Sequence, residues 1–385
     1  MALALTAPLA YEANPGIVQG VAPAGATAVR VLADGRSVRV LRLTSGKRAF
    51  LLGPIGLPPR DITVTVEALA GKRVLASTTV DHVFGLPAAA ATVAPPRTIN
   101  AKVQVRLTTL PARTGVSSAA WVRDLATGST AAYNAGAHYP AASTIKLAIL
   151  LELYRQEQQG RAGQAGKARL ADPYVFDPKD LVGDSQIMAG LTPGLTRVTN
   201  RDLAQFMLAV SDNSASNVLQ DRVGIDNVNA TLRALGLQKT QLRRKMMDVA
   251  AARRGDENVA TPRELTRLLA AIQRGKALEP DLTKALLEQL ATRKEKSTIP
   301  LLLPDDARVA NKPGSLEGVR SDAAIVYAPG RPFALCVMTA YARDERAAEQ
   351  AISEIALLAW RHFETLGKAT PYGRTLGPAA PADGH

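Results

Sequence analysis

The sequence predicts an α+β domain, an antiparallel sheet joined to a helical subdomain, preceded by a small all-β sandwich. Three observations carry this prediction. Before residue 86, short runs alternate apolar and polar residues. A Pro/Ala segment with no amphipathic pattern spans 87–97. Beyond it, strand-like runs stand at both ends of a long helical middle, the order of a sheet with segregated helices. With 385 residues, 46% of them hydrophobic and 21% charged, the chain has enough material for two domains. That composition excludes a disordered or collagen-like protein.

Residues 1–10 read either as the apolar stretch of a signal peptide without its basic leader or as a first strand. Strands are expected over 28–32, 38–43, 62–68 and 74–84. In the third, Ile62, Val64, Val66 and Ala68 take one face, and Thr63, Thr65 and Glu67 the other. Turn residues such as Asp34-Gly35 and Pro58-Pro59 separate these runs. Residues 1–86 resemble an immunoglobulin-like sandwich without a catalytic cluster, suited to a spacer, wall-docking or structural role.

After the linker, Ile99, Val103, Leu107 and Leu110 share a helix face. Runs at 116–123 and 131–133 flank the hairpin signal Thr127-Gly128. Helices follow over 143–159 and 200–210; Asp226 caps a third, which Gly236 ends. Thr261-Pro262-Arg263-Glu264 makes a capping box with proline at the first helical position. Strands return over 308–312, 320–327 and 333–341, and a last helix covers 345–366. The main domain is thus 98–367, and 368–385 is a Gly/Pro/Ala-rich tail.

Composition narrows the function. The net charge of +13 is scattered and mostly arginine. Aromatic residues make up 4%, too few for a base-stacking platform, so a nucleic-acid role has only charge behind it. Apolar runs such as 147–151 are far too short to span a membrane. The single cysteine, Cys336, lies in the apolar run 333–338; it permits no intrachain disulfide and reads as a buried, inert thiol. His82, His138, His362 and His385 lack metal-ligating spacing, so neither metal nor cofactor is expected. A Ser-His-Asp triad would have to recruit His138.

A different serine chemistry fits better. Ser143-Thr144-Ile145-Lys146 opens a strong helix. Positions i and i+3 share a face, so the Lys146 amine is expected to reach the Ser143 hydroxyl. A serine becomes a nucleophile when a neighbour takes its proton. Lysine takes it when burial or a second cation lowers its pKa. The helix N-terminus adds donors where an oxyanion would form. Taken alone, the pair is equally a capping serine and a solvated lysine. Ser211-Asp212-Asn213 interrupts a helical region. As plain structure it is an Asx turn or N-cap. As chemistry, its hydroxyl relays a proton to a leaving nitrogen, and its carboxamide binds a substrate carbonyl or orients the lysine. Lys312-Pro313-Gly314-Ser315 lies on a strand, where Lys312 offers charge to a carboxylate and Gly314 lets a substrate backbone approach.

In this order and spacing, the three motifs resemble the serine penicillin-recognising hydrolases, most closely the class A β-lactamases, over residues 98–367. The resemblance implies a β-lactamase-like fold and a set of roles. Ser143 is acylated, Lys146 is its base partner, and Ser211 passes a proton to the leaving nitrogen. Asn213 holds the substrate amide, and Lys312 faces its carboxylate, with Arg320 as a second contact. The N–H groups of Ser143 and Ser315 form the oxyanion hole; Asp212 and Arg244 are structural. It further implies β-lactams or cell-wall peptide-like amides and esters as small-molecule substrates, a cell-wall polymer as partner, and work outside the cytoplasm.

Two departures from the family matter. Pro313 replaces a serine or threonine, removing a hydroxyl and an N–H. Alternate N–H groups of a strand face one edge, so the proline spares the fold if Ser315 N–H faces the cleft. The family's Arg-x-Glu-x-x-Leu-Asn loop is here Arg244-Lys-Met246-Met-Asp-Val-Ala250. Met246 stands in place of the glutamate that activates the deacylating water, and a thioether is no base. Asn258 replaces an aspartate, which is expected to weaken the Arg244 ion pair; Asp248 and Glu257 stand as substitute bases. The expectation is a β-lactamase-like hydrolase whose acylation outruns its turnover. The alternative is a non-hydrolysing penicillin-recognising binding or sensor module of the cell envelope.

Overall fold

The computed structural model describes residues 3–10, 13–58, 60–85, 88, 117–294 and 296–368. The linker over 87–97, the helix face from Ile99 to Leu110 and the tail after residue 368 fall outside the described residues, Ala88 excepted. The chain divides into two compact units, the first beginning with Met1–Ile99 and the second being Asn100–Glu364.

The first unit is all β. Its strands are β1 (Ala4–Ala7), β2 (Ala13–Asn14), β3 (Val18–Val21), β4 (Ala28–Ala33), β5 (Arg36–Arg42), β6 (Ala49–Leu52), β7 (Asp61–Ala70) and β8 (Arg73–Gly85). They form a three-stranded sheet, β1-β3-β6, and a five-stranded one, β2-β8-β7-β4-β5. Within the opening stretch, Ala4–Ala7 form a strand. Period two decides the packing: Ile62, Val64, Val66 and Ala68 are buried with Val29, Val31 and Val83 in one core. On the polar face, Arg30 pairs with Glu67 across the β4–β7 ladder. Edge strand β5 keeps Arg36, Arg39 and Arg42 in solvent, where charge discourages further strand pairing.

The second unit carries the antiparallel sheet β10-β9-β17-β16-β15. Its strands are β9 (Ser117–Asp124), β10 (Thr130–Tyr133), β15 (Val309–Leu316), β16 (Val319–Val326) and β17 (Phe333–Ala340). Short pairs β11 (Tyr139–Pro140) with β14 (Val259–Ala260), and β12 (Pro173–Val175) with β13 (Arg197–Thr199), trim the helical part. Every residue of β17 is buried, including Cys336, as a continuous apolar run requires. Helix α1 (Lys146–Arg161) buries most of its length; α2 (Asn200–Ala209), α3 (Asn213–Val223) and α4 (Ile225–Ala234) surround it. A short α5 (Val249–Arg253) precedes α6 (Pro262–Gln273), which packs on the sheet. Helices α7 (Pro280–Leu290) and α8 (Glu345–Gly367) complete the unit, and Phe363 of α8 stacks on Phe333 with ring centroids 4.6 Å apart.

Two caps differ from expectation. Helix α4 is capped by Gly224 at φ +82, because one glycine ends α3 and begins α4; Asp226 lies in the first turn instead. At α6 the Thr261 hydroxyl accepts Glu264 N–H, but the Glu264 carboxylate does not reach back. It takes the N–H groups of Lys239 and Thr240, tying a distant loop to the helix. For the site, what counts is that α1 begins in a 3-10 turn, Ala142–Ile145. That turn packs against the edge strand β15, while the turn before α3 closes over it.

Candidate active site

Ser143 occupies the 3-10 turn, and Lys146 follows as the first α-helical residue. Lys146 is fully buried. Its Nζ donates to Ser211 O at 2.6 Å, Asn213 Oδ1 at 2.8 Å and Ser211 Oγ at 3.1 Å. Ser211 Oγ in turn donates to Ser143 Oγ at 2.9 Å. The expected contact between amine and nucleophile therefore runs through Ser211. The reason is geometric: the α3 turn inserts the Ser211 hydroxyl between the two. Lys312 Nζ, also buried, donates to the same Ser211 Oγ at 3.1 Å and to Pro313 O at 2.8 Å. One hydroxyl thus joins the serine to both lysines.

Burial pushes the Lys146 pKa well below the ordinary lysine value, and the charge of Lys312 lowers it further. Burial, with Lys294 behind it, brings Lys312 down to about 7. Such an amine has a lone pair to offer near neutral pH. When Lys146 is neutral it makes two N–H donations, and its third contact reverses, so that Ser211 donates to the lysine and accepts from Ser143.

The backbone around this floor is strained. Ala142, Asp184, Ser211 and Met247 are non-glycine residues at φ +47, +53, +60 and +64. Three of them line the cleft and Ser211 lies beneath it. Strain of this kind persists only where surrounding structure enforces it, and it gathers at functional sites. Asp212 supplies much of that enforcement. Wholly buried, its carboxylate accepts the N–H groups of Ile187, Met188 and Ala215, capping α3 and anchoring the 185–188 loop. Asn213 is engaged at both ends: Oδ1 accepts from Lys146, and Nδ2 donates to Gly183 O.

Gly314 needs a different explanation from the expected one. A Cβ there would lie 2.8 Å from Ser321 Oγ, 3.0 Å from Ser143 N and 3.1 Å from Ala142 Cβ. The missing side chain lets β15 close on the Ala142–Ile145 turn, not a substrate backbone on β15. Pro313 sits on the edge strand, where a missing N–H is tolerated. Arg320 is corrected as well. Its guanidinium is held by Glu345 and Glu349 of α8 and by the carbonyls of Leu316 and Val319, so two carboxylates neutralise it.

A cleft of about 80 Å³ opens over Ser143, walled by Asn213, Ser315, Leu316, Arg244, Met246 and Glu257. Met246 is buried in that wall, and its backbone is clamped to α3 by both amide atoms of Asn217. The Arg244 ion pair is retained, contrary to expectation, because Glu257 takes the place of the changed residue 258: Arg244 Nη2 lies 2.7 Å from Glu257 Oε1. Asn258 instead binds backbone, accepting Arg243 and Arg244 N–H and donating to Arg244 O. Each substitute base is engaged through one of its carboxylate oxygens. Glu257 Oε1 already takes three N–H groups, two from Arg244 and one from Asn258. Asp248 caps α5 through Ala251 N–H. Sequence reasoning missed Asp184, which lines the cleft; a Gly183-Asp184 pair signals only a turn. Among the described residues, no cluster of three His, Cys, Asp or Glu is placed to hold a metal, and no helix is long and apolar enough to cross a membrane.

Fold and site together define a β-lactamase-like α+β domain built around a half-buried serine linked through Ser211 to a buried lysine. Residues 102–363 match the Beta-lactamase enzyme family, and the chain belongs to that family. It is 28% identical over 264 residues to Beta-lactamase AST-1 of Nocardia asteroides, covering 66% of this chain and 81% of that protein. It is 27% identical over 283 residues to a β-lactamase of Streptomyces albus G, covering 68% and 84%. Among solved structures, an ancestral class A β-lactamase superposes with a TM-score of 0.62 at 27% identity, covering 68% of this chain and all 100% of the other. The β-lactamase of Sphaerobacter thermophilus gives 0.61 at 29%, covering 69% and 97%. PBP-A, at 24% identity and a TM-score of 0.61 over 69% of this chain and 96% of its own, shares the fold.

Proposed function

We propose that this chain is a serine hydrolase of the class A β-lactamase type, acylated at Ser143 by β-lactams or related amides and esters, with slow release of the acyl group. The observation that carries the reading is the Ser143–Ser211–Lys146 relay, with distances of 2.9 and 3.1 Å and the amine sealed from water. Ser143 Oγ attacks the carbonyl, and its proton passes through Ser211 to Lys146. The N–H groups of Ser143 and Ser315 meet the developing oxyanion. Collapse of the tetrahedral adduct breaks the C–N bond, and Ser211 returns the proton to the departing nitrogen. Lys312 holds the substrate carboxylate in its cationic form, and Asn213 holds the amide.

Release of the acyl group needs an activated water. Met246 supports the view that the cleft lacks its base, and the engagement of Glu257 and Asp248 supports it further. Class A relatives suggest work outside the cytoplasm on wall-derived ligands. The two-sheet N-terminal unit is compatible with an immunoglobulin-like module that meets cell-wall polymer. Domain limits of 1–86, 98–367 and 368–385 complete this reading.

Intact-protein mass spectrometry after brief exposure to penicillin G tests it. A single adduct that persists through many minutes, absent in Ser143→Ala, is the expected result. No adduct in the wild type overturns the reading. The second reading, a non-hydrolysing sensor, rests on Met246 alone and is chosen if the adduct never turns over.

A further inference from the structure

Beside the cleft lies a larger recess of about 680 Å³, within the range of about 300–1,000 Å³ typical of small-molecule sites. The two hollows run along the same two segments of chain. The cleft is walled by Ala142 and by Ser315 and Leu316. The recess is walled by Tyr139 and Pro140 and by Glu317 and Gly318, the adjoining residues of each segment. A substrate whose carbonyl sits at Ser143 therefore has room for its bulk in the recess and little in the cleft.

We infer that this recess is a subsite for a sugar ring carried on the acyl donor, stacked on Tyr341; the inference rests on the acyl-transfer reading above. Tyr341 is 84% exposed, the most exposed large hydrophobic residue among the described residues. It is held at φ +61, a conformation a bulky residue adopts only under constraint. The constraint is visible. Ala342 N–H donates to Gly318 O at 2.9 Å, and Gly318 N–H donates to Glu345 Oε1 at 3.1 Å, which pins the tyrosine segment to the β15–β16 hairpin. The chain thus strains its backbone to hold an aromatic face in water.

Polar groups stand around the recess, whose floor includes Val319 and Ala340. His138, Glu317 and Arg343 are exposed around it, and the Tyr139 hydroxyl is bonded to Ser117 Oγ at 2.9 Å. A flat apolar face ringed by donors and acceptors of both charges matches a pyranose. Its C–H face stacks on the ring while its hydroxyls meet the rim. An anionic polymer is disfavoured by Glu317, and a wholly apolar group would strip water from Glu317 and Arg343 without replacing it.

The test uses the whole chain, with N-acetylglucosamine trimer as probe in saturation-transfer NMR and penicillin G as the acylation control. Saturation is expected on the trimer, unchanged in Ser143→Ala. Its affinity should fall about tenfold in Tyr341→Ala and hold in Tyr341→Phe, the loss of one stacked ring. Tyr341→Ala should still be acylated by penicillin G at the wild-type rate, which shows that it folds. No transfer to the trimer, with acylation intact, overturns the subsite and leaves the acyl-transfer reading standing. Trimer affinity unchanged in Tyr341→Ala also overturns it. Trimer binding without any penicillin adduct supports a sugar site at Tyr341 and overturns its link to acyl transfer.

Discussion

The floor and the far wall of the cleft are built to different standards. On the floor, Ser143, Ser211, Lys146, Asn213 and Lys312 are joined by hydrogen bonds of 2.6–3.1 Å. They stand on strained backbone that Asp212 holds in place. On the wall, Arg244, Glu257 and Asn258 fasten the loop firmly, yet the side chain presented at position 246 is a thioether. The lesson is that a loop is fastened by ion pairs and backbone bonds that are indifferent to which side chain points inward, so its architecture does not fix the chemistry at position 246.

The comparison breaks most visibly at the floor. Lys146→Met should slow acylation by penicillin G by about 10³-fold, the ordinary worth of a positioned base, measured by stopped-flow or quench mass spectrometry. A loss below tenfold would shift the base role to Lys312. Asp212→Ala leaves three N–H groups unpaired, two of them, Ile187 and Met188, in the 185–188 loop. It should cost about 3 kcal/mol and lower Tm by roughly 6–12 °C in a thermal melt. The wall can be sharpened instead. Met246→Glu places a carboxylate in the cleft wall and should shorten the acyl-enzyme lifetime by tens of fold, with acylation unchanged. An unchanged lifetime means that position 246 does not reach the water.

The pH profile reads the two lysines with opposite signs. Lys146 acts as an amine, so acylation fails in acid as the pH drops through its depressed pKa. Lys312 serves as a cation, so kcat/KM for a carboxylate-bearing substrate should fall on the alkaline side, beginning near its free-enzyme value of about 7. A profile flat from pH 6 to 9 removes Lys312 from carboxylate binding. The smallest effect is expected from Glu257→Gln. Its partner Arg244 is only 10% exposed, but Glu257 is itself 26% exposed and solvent-screened. About 1 kcal/mol or less of stability should be lost, with acylation intact.

Much of the fold was legible in the chain. Period two gave β7, the hairpin signal at Thr127-Gly128 gave β9 and β10, and a continuous apolar run gave the doubly covered β17. The Asp226 cap misled because a glycine with positive φ does the same turn without a side chain, and periodicity does not see it. At the site, residue types and order singled out Ser143, Lys146, Ser211 and Asn213, which the fold joins by hydrogen bonds. Three things were not legible. The bond from Lys146 to Ser143 turned out to pass through Ser211, the glycine at 314 turned out to serve packing, and Arg320 turned out to be neutralised by α8.

The sequence by itself determined which elements form and which side chains are chemically able to act, because periodicity, caps and residue type are local properties. Tertiary structure alone decided who touches whom: that one hydroxyl serves two lysines, that Glu257 replaces a lost partner from the neighbouring position, and that a strained tyrosine faces a recess. Those depend on distances between residues far apart in the chain, and on burial, which sets the charge state of Lys146 and exists only once the core has closed around it.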